Sequence, residues 1–165
     1  MLYQEIAEQL LEIGRIDQEM RSRNLEDPEY WSPKVDSGNT IRMKEIVGQI
    51  YWPTVSKVGN EASHVAWLLV QHADHDVDFQ EQCLELMKSS GEPEVSNRDI
   101  AYLEDRVRVN RKLPQLFGTQ FTEVEGRFTP KEIFEPEQVD ERRKLMGLGT
   151  LQEGITRMEE KYRKP

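Results

Sequence analysis

The sequence predicts a mainly α-helical fold: about six helices in a single bundle-like domain, with one β-hairpin inserted late, at about 115–134. Three observations carry this. Apolar residues recur at helical spacing in several long segments. Pro, Gly and capping residues punctuate those segments. One stretch, QLFGTQFTEVEGRFTPKEIF, instead has the aromatic and Thr content of paired strands with a Gly near its middle.

Residues 2–24 read as a helix with Leu2, Ile6, Leu10, Ile13 and Met20 on one stripe. Residues 25–38 hold Pro28, Pro33 and Gly38 and read as a loop. A short helix is expected over 40–49, broken by Trp52-Pro53. The longest helix is expected from Glu61 to Lys88, with Asn60 as N-cap and SGEP at 90–93 ending it. Ser96-Asn97-Arg98-Asp99 has the character of a capping signal, and a helix follows to about Lys112, stopped by Pro114. The hairpin turns around Glu125-Gly126. Pro136 opens the next helix at its first position, and Gly147 closes it. A terminal helix runs from Thr150 to Lys164 on Leu151, Ile155, Met158 and Tyr162.

Composition bounds the function. The chain has 165 residues, enough for one domain with a proper core. Thirty-one acidic residues against 22 basic ones give a net charge of −9. Nucleic acid and anionic membrane both demand a basic footprint, so neither is expected as a partner. A single cysteine, Cys83, allows no intrachain disulfide and no zinc ribbon. The N-terminus lacks the pattern of a signal peptide, and no stretch is apolar for the length of a membrane span. A cytoplasmic protein is expected.

The informative residues are polar ones on apolar stripes. On a helix over 61–88, the centre line runs Val65, Leu69, His72, Asp76, Phe79, Cys83, Met87, with His72 and Asp76 in its middle. The first helix repeats the pattern with Asp17, one turn before Arg21. A buried carboxylate needs a partner, and Arg21, His72 or a backbone donor would serve. The structural alternative is a satisfied core histidine and an ordinary i,i+4 ion pair. The functional expectation is that His72 is the acid–base group, because an imidazole can exchange a proton near neutrality. Asp17 or Asp76 would orient it.

A third concentration lies at 101–121. Asp105 and Arg106 fall late on a helix, and Gln115, Thr119 and Gln120 follow on the first hairpin strand with Gly118 among them. Together with Arg21 they are the expected substrate-binding residues. The structural alternative here is a hairpin tethered by amide hydrogen bonds.

Phosphate-binding glycine loops, HExxH and GxSxG are absent. HADHD at 72–76 has a weak likeness to metal-dependent phosphohydrolases of the His-Asp type, but the further distant His and Asp are missing. Ligands from one helix do not close a metal site, so no metal and no cofactor are expected.

The chain resembles a bacterial domain family of unknown function, family 6624. The resemblance rests on Asp17-Gln18 with Arg21, Trp52-Pro53, Val58-Gly59, the run Leu69 to Asp74, and Phe79-Gln80. It continues through Ala101-Tyr102-Leu103, Asp105-Arg106, Pro114 to Gln120, Pro136, Val139-Asp140, Arg142-Arg143 and Gly147-Leu148. It spans nearly the whole chain. Two departures stand out: Tyr51 where Gly is expected before Trp-Pro, and Phe117 where Tyr is usual. The resemblance implies no activity. It does imply that the signature residues are largely the polar ones above.

Two functions from different classes follow. One is a small-molecule-binding or enzymatic domain with metal-independent acid–base chemistry at a His/Asp/Arg/Gln site. The other is a non-catalytic immunity or adaptor protein, recognised through exposed acids and through Tyr30 and Trp31.

Overall fold

The structure, a computed structural model, describes residues 2–162. It is mainly helical with one two-stranded antiparallel hairpin. The described residues fall into two compact units, divided between Ser96 and Asn97.

The first unit holds α1 (Gln4–Glu26), a 3-10 turn (Pro28–Tyr30), α2 (Pro33–Ile50), α3 (Val55–Val58), α4 (Asn60–Gln71) and α5 (Val77–Ser90). Helices α1 and α4 pack side by side and run the same way. Leu2 and Tyr3 donate to the Lys57 carbonyl at one end. Gly14 meets Val65 midway, and Asp17 meets His72 at the other end. The close approach needs the missing side chain of Gly14, since a Cβ there would lie 2.6 Å from Val65 Cγ1. The buried face of α1 is Ala7, Leu10, Ile13, Gly14, Asp17 and Met20. Leu2 is exposed, so the stripe begins one turn later than the periodicity suggests.

Two helix boundaries differ from expectation. The expected loop 25–38 is shorter, because Pro33 opens α2 rather than breaking the chain. Proline at the first helical position wastes no hydrogen bond, and its fixed φ suits the helix. Helix α2 therefore buries Asn39 and Thr40 ahead of Met43, Ile46, Val47 and Ile50.

The expected long helix over 61–88 is two helices, α4 and α5, separated at 72–76. Asp76 is the N-cap of α5, its carboxylate accepting from the Phe79 N–H at 3.1 Å. Gln80, fully buried, donates from Nε2 to the carbonyls of Val70 and Gln71 and to Asp74 Oδ1, which staples the turn. At the start of α4 the N-cap is Gly59, with φ 85°, and Asn60 is already helical.

Tyr51 ends α2 at φ 58°, ψ −145°. That region is open essentially to glycine alone. It accounts for the glycine expected before Trp-Pro, and it makes Tyr51, 72% exposed, a strained residue. Tyr51→Gly is expected to raise stability by about 1–3 kcal/mol, less the entropy glycine gains in the unfolded chain. Denaturant midpoints of the two proteins check this.

The second unit holds α6 (Asn97–Asn110), β1 (Phe121–Val124), β2 (Arg127–Pro130), a 3-10 turn (Pro136–Gln138), α7 (Val139–Leu145) and α8 (Leu151–Tyr162). The hairpin turns at Glu125-Gly126 as expected, both residues at positive φ and Val124 facing Arg127. Two such residues form the tight turn that matches strand twist. Pro136 opens a 3-10 turn that leads into α7, and Gly147 follows it at φ 67°. Helix α8 lies on β2, with the Phe128 and Tyr162 rings 4.9 Å apart. Its expected extension to Lys164 lies outside the described residues.

Candidate functional site

In the first unit the polar stripe residues meet. Asp17 is fully buried, at 0% exposure, on the core face of α1. His72 sits at the C-cap of α4, where the chain leaves the helix. Its Nδ1 lies 3.0 Å from Asp17 Oδ2. Arg21, one turn along α1, places Nε 3.2 Å from the same oxygen. Its Nη2 reaches Asp36 Oδ1 on α2 at 2.6 Å. Gln18 donates to Asp17 Oδ2 at 2.9 Å, and Asn39 approaches Oδ1 at 3.5 Å. The Trp31 ring covers the Arg21 guanidinium, 5.0 Å from ring centre to Cζ.

The electrostatics follow from these contacts. Burial pushes the Asp17 carboxyl up, but the bonds from His72 and Arg21 outweigh it and hold its pKa below the usual carboxylate value. For Asp36 burial wins over Arg21, with the Asp17 charge adding to it, and its pKa is raised. The second imidazole nitrogen, His72 Nε2, has no hydrogen-bond partner among the described residues. An imidazole whose Nδ1–H donates to a carboxylate keeps Nε2 as a lone-pair acceptor.

Asp17, Asp36 and His72 also offer three ligand atoms within 4.8 Å of one another. Arg21 bonds both carboxylates, so a guanidinium stands where such a trio would otherwise call for a cation.

Asp76 does not join this group. The expectation that it shares a helix face with His72 fails because the helix breaks between them. Its carboxylate caps α5 and pairs with Lys44 Nζ at 2.5 Å. Asp36, Asn39 and Trp31 were not expected at the site. Pro33, taken as a helix start, would have found two of them: Asp36, Asn39, Thr40 and Met43 then share one face.

The residues expected from 105–120 meet within the second unit, where they bond its backbone and one another. Asp105, fully buried, accepts from the N–H groups of Leu116 (2.7 Å), Phe117 (3.0 Å) and Thr119 (2.9 Å), and from the Thr119 hydroxyl (2.9 Å). Burial raises its pKa against the pull of these donors. Gln115 donates to the carbonyls of Gln120 and Lys131 and accepts from the Gln120 N–H. Arg106 donates to Gln120 Oε1 at 3.0 Å. Arg143, not singled out as a site residue, is buried and donates to the carbonyls of Phe117 and Gly149, each at 2.6 Å.

Two hollows open elsewhere. One is lined by Lys44, Val47, Tyr51 and Phe79 among others, the second by residues of the α8 start including Thr150 and Glu153. Neither takes in His72 or Asp17. No helix is long and apolar enough, among the described residues, to cross a membrane.

Fold and site thus define a mainly helical chain with a buried carboxylate–imidazole–guanidinium cluster. A family model described as a family of unknown function (DUF6624) matches residues 6–164, and the chain belongs to that family. No curated protein and no solved structure matches it.

Proposed function

We propose that the chain binds a small molecule at His72 and performs metal-independent proton transfer there. One observation carries this: Nδ1 is held 3.0 Å from a fully buried carboxylate while Nε2 has no hydrogen-bond partner among the described residues. His72 is 19% exposed and Nε2 is not a buried orphan, so that nitrogen opens to the outside, where a ligand can reach it. Asp17 orients the ring and steadies its charge when Nε2 takes a proton. Arg21 and Asp36 hold Asp17 in place. Asp105, Gln115, Thr119 and Gln120 hold the loop and hairpin of the second unit through the hydrogen bonds described above. A single buried cysteine suits a cytoplasmic setting.

The alternative, an immunity or adaptor protein, draws on Tyr30 and Trp31, which stay 50% and 41% exposed. Both rings lie over arginines of α1, and Arg21 belongs to the cluster. This favours a wall of the same site over a free docking patch.

The test is a metabolite screen for turnover, run on wild type, His72→Gln and His72→Ala. Loss of a general acid–base group is worth about 10²–10⁴ in rate. Both variants are expected to fold, because His72 ends a helix and its side chain bonds only Asp17 among the described residues, while its backbone bonds survive substitution. Folded variants that keep full turnover, or a screen with no substrate and no ligand, would refute the proposal.

A further inference from the structure

The cluster's charge names the class of ligand, given that it is a small-molecule site. Asp17 and Asp36 bring two negative charges when ionised, and Arg21 brings one positive charge. The other titratable groups acting on Asp36 are the imidazoles of His72 and His75. With both imidazoles neutral the cluster carries one net negative charge.

Arg21, expected from sequence to bind substrate, is poorly placed to receive an anion, because its charge is already met by two carboxylates. Nε is engaged by Asp17, Nη2 by Asp36, and the Trp31 ring covers the guanidinium face. An incoming carboxylate or phosphate could use only the remaining N–H groups, chiefly on Nη1, of a guanidinium whose charge is already shared between two carboxylates. It would also stand beside two carboxylates, and like charges at a few ångströms repel strongly where water is scarce. A cation meets the opposite field. It finds an acceptor in His72 Nε2, a carboxylate in Asp36, and a half-exposed aromatic ring in Trp31. Aromatic faces attract cations.

We propose that the site takes a small organic cation, an ammonium, amidinium or guanidinium, with Asp36 supplying the charge that selects it. The same field would draw a divalent metal ion. A metal bound through His72 Nδ1, however, must displace the Nδ1 proton and compete with Arg21 for the Asp17 carboxylate.

The experiment follows the His72 ring resonances by NMR during titration with benzamidine, benzyl alcohol, benzoate and Zn²⁺. Wild type, Asp36→Asn and Asp36→Glu are compared after melting curves establish that each is folded. Benzamidine is expected to bind at least about tenfold tighter than benzoate, a difference of about 1.4 kcal/mol. Asp36→Asn should abolish that preference and Asp36→Glu restore it. Benzoate binding as tightly as benzamidine would overturn the charge assignment while leaving a small-molecule site. Stoichiometric Zn²⁺ binding without benzamidine binding would replace the organic cation with a metal. If no probe moves His72, the small-molecule reading falls, and this inference with it.

Discussion

Replacing Asp105 by Ala is expected to cost about 3–5 kcal/mol of stability, the largest effect of any single polar substitution considered for this chain. The carboxylate is fully buried and satisfies three backbone N–H groups and one hydroxyl between Leu116 and Thr119. Losing the carboxylate leaves these donors, some of them only partly buried, turned toward an empty interior position, and each buried orphan costs about 1–3 kcal/mol, not additively. A domain has only about 5–15 kcal/mol in all. Asp105→Asn keeps one acceptor but turns an NH₂ group toward N–H donors, so it should recover only part of the loss. Denaturant midpoints give the magnitude, and hydrogen exchange at the amides of 116–119 gives the place. A variant as stable as wild type would mean that the loop finds other acceptors.

The second large effect is at Asp17. Asp17→Asn should cost about 2–3 kcal/mol, since it removes the charge and one of the two acceptor oxygens that meet Arg21 and His72, and turns an amide NH₂ toward donors in a fully buried position. The cost is held below that of a wholly buried pair because Arg21 keeps Asp36 and part of its surface stays in water. The pH dependence has a defined sign. Asp17 has a folded-state pKa below its unfolded one. Its contribution is therefore fully present above the unfolded value, about 3.9, and is lost as pH falls through the folded value. Asp36, with a raised pKa, acts in the opposite sense. The observable is the difference between wild type and Asp17→Asn, which should shrink toward acid pH. A constant difference from neutrality down to pH 3 would contradict it.

Much of this was legible in the sequence, and the failures share a cause. The helical class, the hairpin turn at Glu125-Gly126 and the Asp17–Arg21 pair follow from local pattern, while His72 is one of three partners that a buried Asp17 calls for. Periodicity reports which faces are apolar but not where a helix stops. The chain from Glu61 to Lys88 keeps an apolar rhythm across a turn that only the Gln80 and Asp76 hydrogen bonds reveal. That put Asp76 beside His72 in the sequence pattern. Pro33 admits two opposite readings, helix breaker or first helical residue, and choosing the first hid Asp36 and Asn39. Tyr51 was visible as an oddity but acquired its reason, a glycine-type backbone, only from the structure.

Central to the proposed function is that Asp17 fixes the His72 ring with its proton on Nδ1 and a bare Nε2. Nitrogen-15 NMR of the imidazole, taken above the pH at which the ring titrates, tests this directly. Wild type should show a protonated, hydrogen-bonded Nδ1 and a pyridine-type Nε2, and Asp17→Asn should lose that preference. A neutral ring protonated on Nε2 in wild type would contradict it, because the lone pair would then sit on Nδ1, turned toward Asp17 and away from a ligand.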